Sequence, residues 1–392
     1  MISTDVALNL ILKKSILLNK AELPILDAFG YIIAKKIKSK IDYPPFDQSA
    51  MDGYGIRFSD FTKQSQINIV QELQAGRNSN KTISKNQAVR IFTGAKVPEG
   101  VDTVVMQEKT FVKNKQLIIT DNELSKGNNI RKQGSQTKKG DLIINEGKKI
   151  TAGVTGFLAG LGCYKVNVYK KPRVCIITTG KELVEEGGRI GGSKIYESNS
   201  FSLRSALKQQ NIVDVKNFTV DDDETEIETC INENIDNCDI LIVTGGVSVG
   251  DYDFVVNSFK NCGVKKIFHK VKQKPGKPMY FGKHKKTLVF GLPGNPSAVL
   301  TCFYIYVLPA ILKITGSNDL NKKIKLTLAN DFKKKSDLTY FLKGKISENN
   351  VIALHSQESY QMNSFADADC IIKLEENKTE YKKGEIVDVF II

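Results

Sequence analysis

The sequence predicts a multidomain α/β protein in which a central, doubly wound α/β/α domain is flanked by β-rich segments. Three observations predict it. "RVCIITTG", "DILIVTGG" and "TLVFGLPG" are apolar runs of strand length, each ending in a glycine loop. Segments of helical period, among them "SFSLRSALKQQ" and "ETEIETCINENI", alternate with them, as in a parallel sheet covered by helices on both faces. Before about residue 140 and after about residue 320 the helical period gives way to short strands between turn residues.

Taken in order, "MISTDVALNLILKKS" reads as a capped amphipathic helix with Asp5 before its apolar run, and not as a signal peptide, because no small-residue cleavage site follows. "QINIVQEL", "QAVRIFTG", "DTVVMQEKTFV" and "QLIITD" are strands of a β-rich region over 46–140. "KKGDLIINEGKKITAGVTGFLAGLG" mixes a strand, a turn and a glycine-rich helix. The doubly wound part begins at Lys171. "SAVLTCFYIYVLPAIL", from Ser297, is short for a bilayer span and contains Pro309, so it reads as a buried helix. "KIKLTLAND", "DCIIKLEE" and "EIVDVFII" form a small terminal β-domain.

The chain has 392 residues and a formal net charge of +14. That charge favours anionic partners. The lysines form no long basic run and tryptophan is absent, which argues against nucleic acid. Seven cysteines contain no C-x-x-C and only three histidines accompany them, so a zinc site is not indicated and the thiols read as core groups of a reducing cytoplasm.

The loop after "DILIVT" is Gly245-Gly246-Val247-Ser248-Val249-Gly250, followed by Asp251 and Asp253. Glycines between a strand and a helix let backbone N–H groups approach an anion. The spacing matches neither the Walker A nor the G-x-G-x-x-G pattern, and a tight turn fits it as well as a phosphate site does. In "FHKVKQKPGKPMYFG", alternation places Lys270, Lys272 and Lys274 on one face, and the Pro275-Gly276 turn brings Lys277 round. These cations fit an anion site or a solvated edge strand. In "FGLPGNPSAVL", Asn295 is suited to the N-cap and Pro296 to the first helical position, while Pro293-Gly294 stiffens the loop. Glu182 follows another strand-end glycine. Asp221 opens an acidic run that would also serve as a helix cap. Carboxylates beside phosphate oxygens are a usual setting for Mg²⁺.

"PPFDQSAMDGYGIR", "TGAKVPEGVDTVVMQE", "GNNIRKQG", "TTGKEL", "IYESNS", "GGVSVGDYD", "KPGKP" and "GLPGNPSAV" stand in the order found in the MoeA family. The chain therefore resembles the molybdopterin molybdenumtransferases, to which the E domains of gephyrin and of the plant Cnx proteins are related. The resemblance implies a linking domain over 1–45 and 141–170, an inserted β-rich domain over 46–140, a MoaB/MogA-like molybdopterin-binding domain over 171–318 and a small β-barrel over 319–392. It implies adenylylated molybdopterin and molybdate as substrates, AMP as product and Mg²⁺ as cofactor. It further implies a cytoplasmic homodimer, the molybdopterin adenylyltransferase as a partner, and neither nucleic acid nor membrane. Matched motif by motif, the catalytic positions are Asp52, Thr93, Glu182, Asp221 and Asp253, with Glu182, Asp221 and Asp253 for metal. Substrate falls to Gly245, Gly246, Ser248, Gly250, Lys270, Lys274, Lys277, Pro293, Pro296 and Ser359. In the family's dimers Asp52 and Thr93 reach the partner's glycine loop. The chain departs from the pattern at Ser135 and Gln136, where acidic residues are common, and at Lys343, where an arginine is common. It also lacks the glycine of a Gln-Gly-Ser element near Ser359. A non-catalytic carrier or scaffold and a molybdopterin adenylyltransferase are the competing readings.

Overall fold

In the computed structural model, which describes residues 1–62, 66–247, 254–320 and 323–392, the three glycine-ended runs lie side by side. They are the strands Val174–Thr179, Ile240–Thr244 and Thr287–Leu292, at the centre of a six-stranded sheet. The order is Val215–Val220, Val174–Thr179, Ile240–Thr244, Thr287–Leu292, Tyr280–His284, Lys265–His269. The first four are parallel and the last two antiparallel. Continuous apolar runs are what such strands require, because both faces are covered. Cys175, Ile177, Leu241 and Val243 pack on one side with Ile227, Ile231 and Phe259 from the helices Glu224–Asn234 and Val255–Asn261. Val174, Ile176, Ile240 and Ile242 pack on the other with Leu203 and Leu207 of the helix Asn199–Gln209. Each such apolar side chain contributes roughly 1.5–3 kcal/mol by leaving water. From Val174–Thr179 the chain turns to one side of the sheet, then returns on the other at Ile240–Thr244. That topological switch leaves a crevice at their carboxyl ends.

The apolar segment from Pro296 is a buried helix: Pro296–Cys302, a π-helical turn at Phe303–Val307 and Leu308–Ile314. The wide turn ends just before Pro309, which lacks an N–H for the regular ladder. By length and composition this helix could cross a membrane, but most of it is packed inside the unit. The N-terminal helix Thr4–Lys14 is capped by Ser3, not Asp5. Asp5 instead pairs with Lys373 at 2.9 Å.

Five strands close a terminal barrel: Lys323–Leu328, Thr339–Ser347, Asn350–Ala353, Cys370–Leu374 and Ile386–Ile391. Leu328, Leu342, Val351, Ile372 and Val389 fill it. The short strand Gln273–Lys274 pairs with Thr339 and Tyr340, so the lysine-rich segment runs along this barrel. All of these elements belong to one compact unit comprising Met1–Ala34, Gly147–Thr155 and Lys165–Ile392.

The second unit comprises Lys35–Glu146 and Gly156–Tyr164. Its sheet runs Thr103–Met106, Gly53–Ile56, Gln87–Ile91, Ile67–Leu73, Gln116–Ile119, Thr110–Lys113. These are the short strands expected of the β-rich region. Ile56, Ile67, Ala88, Val105 and Leu117 form one of its cores.

Candidate active site

At the switch point the larger unit holds a cleft of about 630 Å³. Three strand-end loops build it. Thr179 ends the first strand and Glu182 follows it, Gly245, Gly246 and Val247 follow the second, and Pro293, Gly294, Asn295 and Pro296 the third. Asp222, the segment Ile195–Asn199, Pro278 and Tyr360 complete the wall.

Gly245 and Gly246 have φ of +94° and +56°. A Cβ at Gly245 would lie 2.6 Å from Thr179 Oγ1 and 2.7 Å from Thr179 O, so only glycine lets the two strand ends approach this closely. The Gly245 N–H donates to Leu292 O at 3.2 Å, which ties the second loop to the third strand. Asn199 Nδ2 donates to Gly294 O at 2.8 Å, locking the Pro-Gly-Asn-Pro loop to the helix Asn199–Gln209. Three buried polar atoms beside the cleft, Thr179 Oγ1, Thr244 Oγ1 and Asn199 Oδ1, have no hydrogen-bond partner among the described residues. Orphaned polar atoms of this kind mark a place where a polar ligand fits.

Asn295 holds the N-cap position, but its side chain makes no cap bond. It donates from Nδ2 to Ser359 Oγ at 2.7 Å, and the Ala298 N–H donates to Ser359 O at 3.2 Å. Ser359 thus pins the barrel to the third loop and sets Tyr360 on the cleft wall. A second tie comes from Lys343, which is 0% exposed. Its Nζ donates to Ser297 Oγ at 3.1 Å, one residue beyond Pro296. Burial pushes this ammonium down to about 8, against the pull of Glu358 and with the repulsion of Lys274.

The acidic run divides its tasks. Asp223 caps the helix Glu224–Asn234, accepting from the N–H groups of Thr225 and Glu226. Asp222 lines the cleft, while Asp221 lies beside it in the chain, exposed, its N–H bonded to Glu226. Glu197 is buried and accepts from the N–H and hydroxyl of Ser200, which occupies it as a helix-start cap. Glu182 folds its carboxylate over Gly180. Among the described residues no group of three or more His, Cys, Asp and Glu is gathered to cage a metal ion. Glu182 and Asp222 both line the cleft, and Mg²⁺ takes one or two carboxylates and completes its shell with water and phosphate oxygens, so these donors fit it. Ser248, Gly250 and Asp253 lie outside the described residues.

No lysine or arginine is among the cleft's described lining residues, although Pro278 of the K-P-G-K-P segment is. Lys272 pairs with Glu376 at 3.4 Å and Lys274 with Glu358 at 3.4 Å. Lys270 sits at φ +71° and Lys277 is exposed. Lys274 borders a second, smaller cavity with Tyr340, Gln357 and Glu358.

In the smaller unit, Asp52 and Thr93 meet. Thr93 donates to Asp52 Oδ1 from its N–H at 2.8 Å and from its hydroxyl at 2.7 Å. These two bonds, with the nearby Arg90 charge, hold the Asp52 carboxyl below the usual carboxylate range. Around it, Ser49 N–H donates to Ala95 O and Gly94 N–H to Ser49 O, while Ser49 pairs with Ile130 and Asp47 with Lys132 at 2.8 Å. The segments "DQSAMDG", "TGAK" and "NIRKQ", far apart in sequence, are therefore one hydrogen-bonded cluster. The residues that sequence reasoning did not single out are Thr179, Asn199, Asp222, Tyr196, Pro278 and Tyr360. "IYESNS" carried the signal for Tyr196 and Asn199, and the acidic run that for Asp222.

Compared with known proteins, residues 2–162 match the MoeA N-terminal region (domain I and II), residues 175–313 the probable molybdopterin binding domain, and residues 325–392 the MoeA C-terminal region (domain IV). The chain is 34% identical over 401 residues to the molybdopterin molybdenumtransferase of Staphylococcus epidermidis, covering 100% of this chain and 95% of that protein. It is 34% identical over 371 residues to the protein of the same name from Haemophilus influenzae, covering 93% and 91%. Among solved structures, the molybdopterin biosynthesis MoeA protein of Pyrococcus horikoshii superposes with a TM-score of 0.85 at 26% identity, over 100% of both chains.

Proposed function

This chain belongs to the MoeA family, and from that premise we propose that it is a molybdopterin molybdenumtransferase acting in molybdenum cofactor biosynthesis. In this reading adenylylated molybdopterin and molybdate are its substrates, and AMP leaves as molybdenum enters the dithiolene. The observation that carries the reading is the crevice at the switch point, where glycine loops, orphaned polar atoms and the residues Glu182 and Asp222 surround a space of about 630 Å³. Gly245 and Gly246 let the substrate's phosphates lie against backbone. Pro293 and Pro296 stiffen the opposite wall, and Asn199 holds that wall in place. Glu182 and Asp222 would be the residues to hold Mg²⁺, which would supply positive charge to the substrate's diphosphate. Asp221 and Asp253, the latter outside the described residues, are further carboxylates proposed for the metal. Lys270, Lys274 and Lys277 supply positive charge for the oxyanion and the terminal phosphate. Asp52, held ionised and oriented by Thr93, completes the catalytic set. A homodimer, in which that pair reaches the partner's cleft, is the assembly this requires. Seven free cysteines, six of them buried, suit a reducing cytoplasm.

The test is to incubate the protein with adenylylated molybdopterin, Mg²⁺ and molybdate, and to follow AMP and cofactor. Molybdate-dependent AMP release in the wild type, lost in Glu182→Gln and in Asp222→Asn, is the expected result. Tight binding without AMP release would sink the enzyme reading and leave a carrier or scaffold.

A further inference from the structure

Two tyrosines line the cleft and are exposed, Tyr196 held at its hydroxyl and Tyr360 carried on a hydrogen-bonded turn. Tyr196 is 47% and Tyr360 64% exposed. The hydroxyl of Tyr196 donates to Gly188 O at 2.9 Å, and its backbone is part of the short parallel pairing of Leu183–Val184 with Ile195–Tyr196. Tyr360 sits in a turn closed on both sides. Glu358 N–H donates to Gln361 Oε1 at 3.0 Å and Gln361 N–H to Glu358 O at 3.1 Å, while the adjacent Ser359 is bonded to Asn295 and Ala298. Aromatic side chains with few free torsions, fixed by neighbours and open to water, offer stacking area at little entropic cost. The rest of the cleft wall offers glycine backbone and carboxylates, which suit phosphate and its cation. One cleft is therefore lined both by groups suited to an anion with its cation and by two aromatic residues suited to a ring.

We propose that Tyr196 and Tyr360 form an aromatic rim that stacks the planar heteroaromatic ring of a phosphorylated substrate. The inference rests on the function proposed above and adds to it which residues read the ring. Adenine and pterin share the relevant chemistry, a flat π system tethered to phosphate. Tyr360 is the discriminating residue, because it comes from the terminal domain and stands next to Ser359, which is bonded to the third loop.

The absence of tryptophan supplies the experiment. Tyr360→Trp puts the only indole of the protein on the rim, to be titrated with AMP, with a pterin monophosphate and with ring-free ribose 5-phosphate, all in Mg²⁺. Saturable quenching by a ring-bearing phosphate and none by ribose 5-phosphate is expected, and the ring that quenches identifies the occupant. In parallel, calorimetry on Tyr360→Ala should show about 5- to 150-fold weaker binding of that ligand, the usual range for one aromatic stack, with ribose 5-phosphate unchanged. Tyr360→Phe should bind within about twofold of wild type, since the face is retained. Equal weakening of ring-bearing and ring-free phosphates, or an indole blind to both rings, would overturn the rim while molybdate-dependent AMP release left the enzyme reading standing. Loss of AMP release in the wild type would overturn the enzyme reading, and the rim with it.

Discussion

Replacing Lys343 by methionine should make the protein more stable and less active. Lys343 is fully buried, and its one hydrogen bond from Nζ goes to Ser297 Oγ at 3.1 Å. Burial lowers its pKa from 10.5 to about 8, which corresponds to roughly 3 kcal/mol against the charged form at neutral pH. Methionine has similar volume and no charge, so it removes this burden and forfeits about 1 kcal/mol for the lost hydrogen bond. The net expectation is a gain of about 2 kcal/mol near neutrality. The pH dependence has a definite sign. The folded pKa lies below the unfolded one, so between about 8 and 10.5 the unfolded chain binds more protons and wild-type stability rises with pH. Below 8 the burden is complete; above 10.5 it is gone. The advantage of Lys343→Met should therefore shrink by about 2 kcal/mol between about pH 7 and about pH 9.5. Denaturant unfolding followed at these two pH values measures it. A variant less stable than wild type at neutral pH, or an advantage that does not change with pH, would refute the reasoning. Activity should fall because the tie to Ser297 helps hold the Pro293–Pro296 loop, and stability gained where a site is kept under burden often has that cost.

Gly245→Ala should lower stability by about 2–4 kcal/mol, since φ is +94° and the new Cβ would meet a backbone carbonyl at 2.7 Å, whereas Gly187→Ala, with open space around it, should cost about 1 kcal/mol; equal midpoint shifts in urea would contradict this. Thr93→Val removes the 2.7 Å hydroxyl bond and leaves the 2.8 Å backbone bond, so the Asp52 carboxyl should titrate closer to the ordinary range by carboxyl NMR, and an unchanged titration would mean that Thr93's hydroxyl does not hold it. Glu182→Gln should weaken AMP binding in Mg²⁺ but strengthen it in chelator, each by about tenfold, because the carboxylate serves the cation when it is there and repels phosphate when it is not; calorimetry showing the same sign in both conditions would rule out a metal role.

Much of the fold could be read from the chain because its physical demands are local. A strand buried on both faces needs an uninterrupted apolar run, and Cys175–Ile177 and Ile240–Val243 satisfy that without reference to anything else. The glycine loop was legible for the same reason. The finer assignments were not. In an acidic run, which carboxylate faces the cleft depends on where the helix cap falls, and with Asp223 as cap it is Asp222 that lines the wall. Asn295 carries the usual N-cap chemistry, yet a serine brought from 64 residues away claims its side chain. Asp52 and Thr93 lie 41 residues apart, and only the pairing of Gly53–Ile56 with Gln87–Ile91 brings them within a hydrogen bond. Such long-range partners leave no periodicity to detect.

The net charge of +14 suggests that lysines should furnish the anion site, but the cleft is built the other way. Its described wall carries Glu182, Glu197 and Asp222 and no basic side chain. An anion placed among these groups is repelled unless backbone N–H groups and a cation intervene, and a carboxylate and a phosphate about 4 Å apart cost on the order of 4 kcal/mol even at an effective dielectric of 20. Two lysines of the K-P-G-K-P region are already paired, Lys272 with Glu376 and Lys274 with Glu358. In the function proposed above, two anions would be handled by two different chemistries: a diphosphate through glycine backbone and a carboxylate-held cation, and a compact oxyanion through ammonium groups. A transferase that must bring a phosphoanhydride and a metal oxyanion together, without letting either occupy the other's position, has reason to separate them in this way. On that proposal the general positive field would attract both, and the local negative wall would decide which one stays in the cleft.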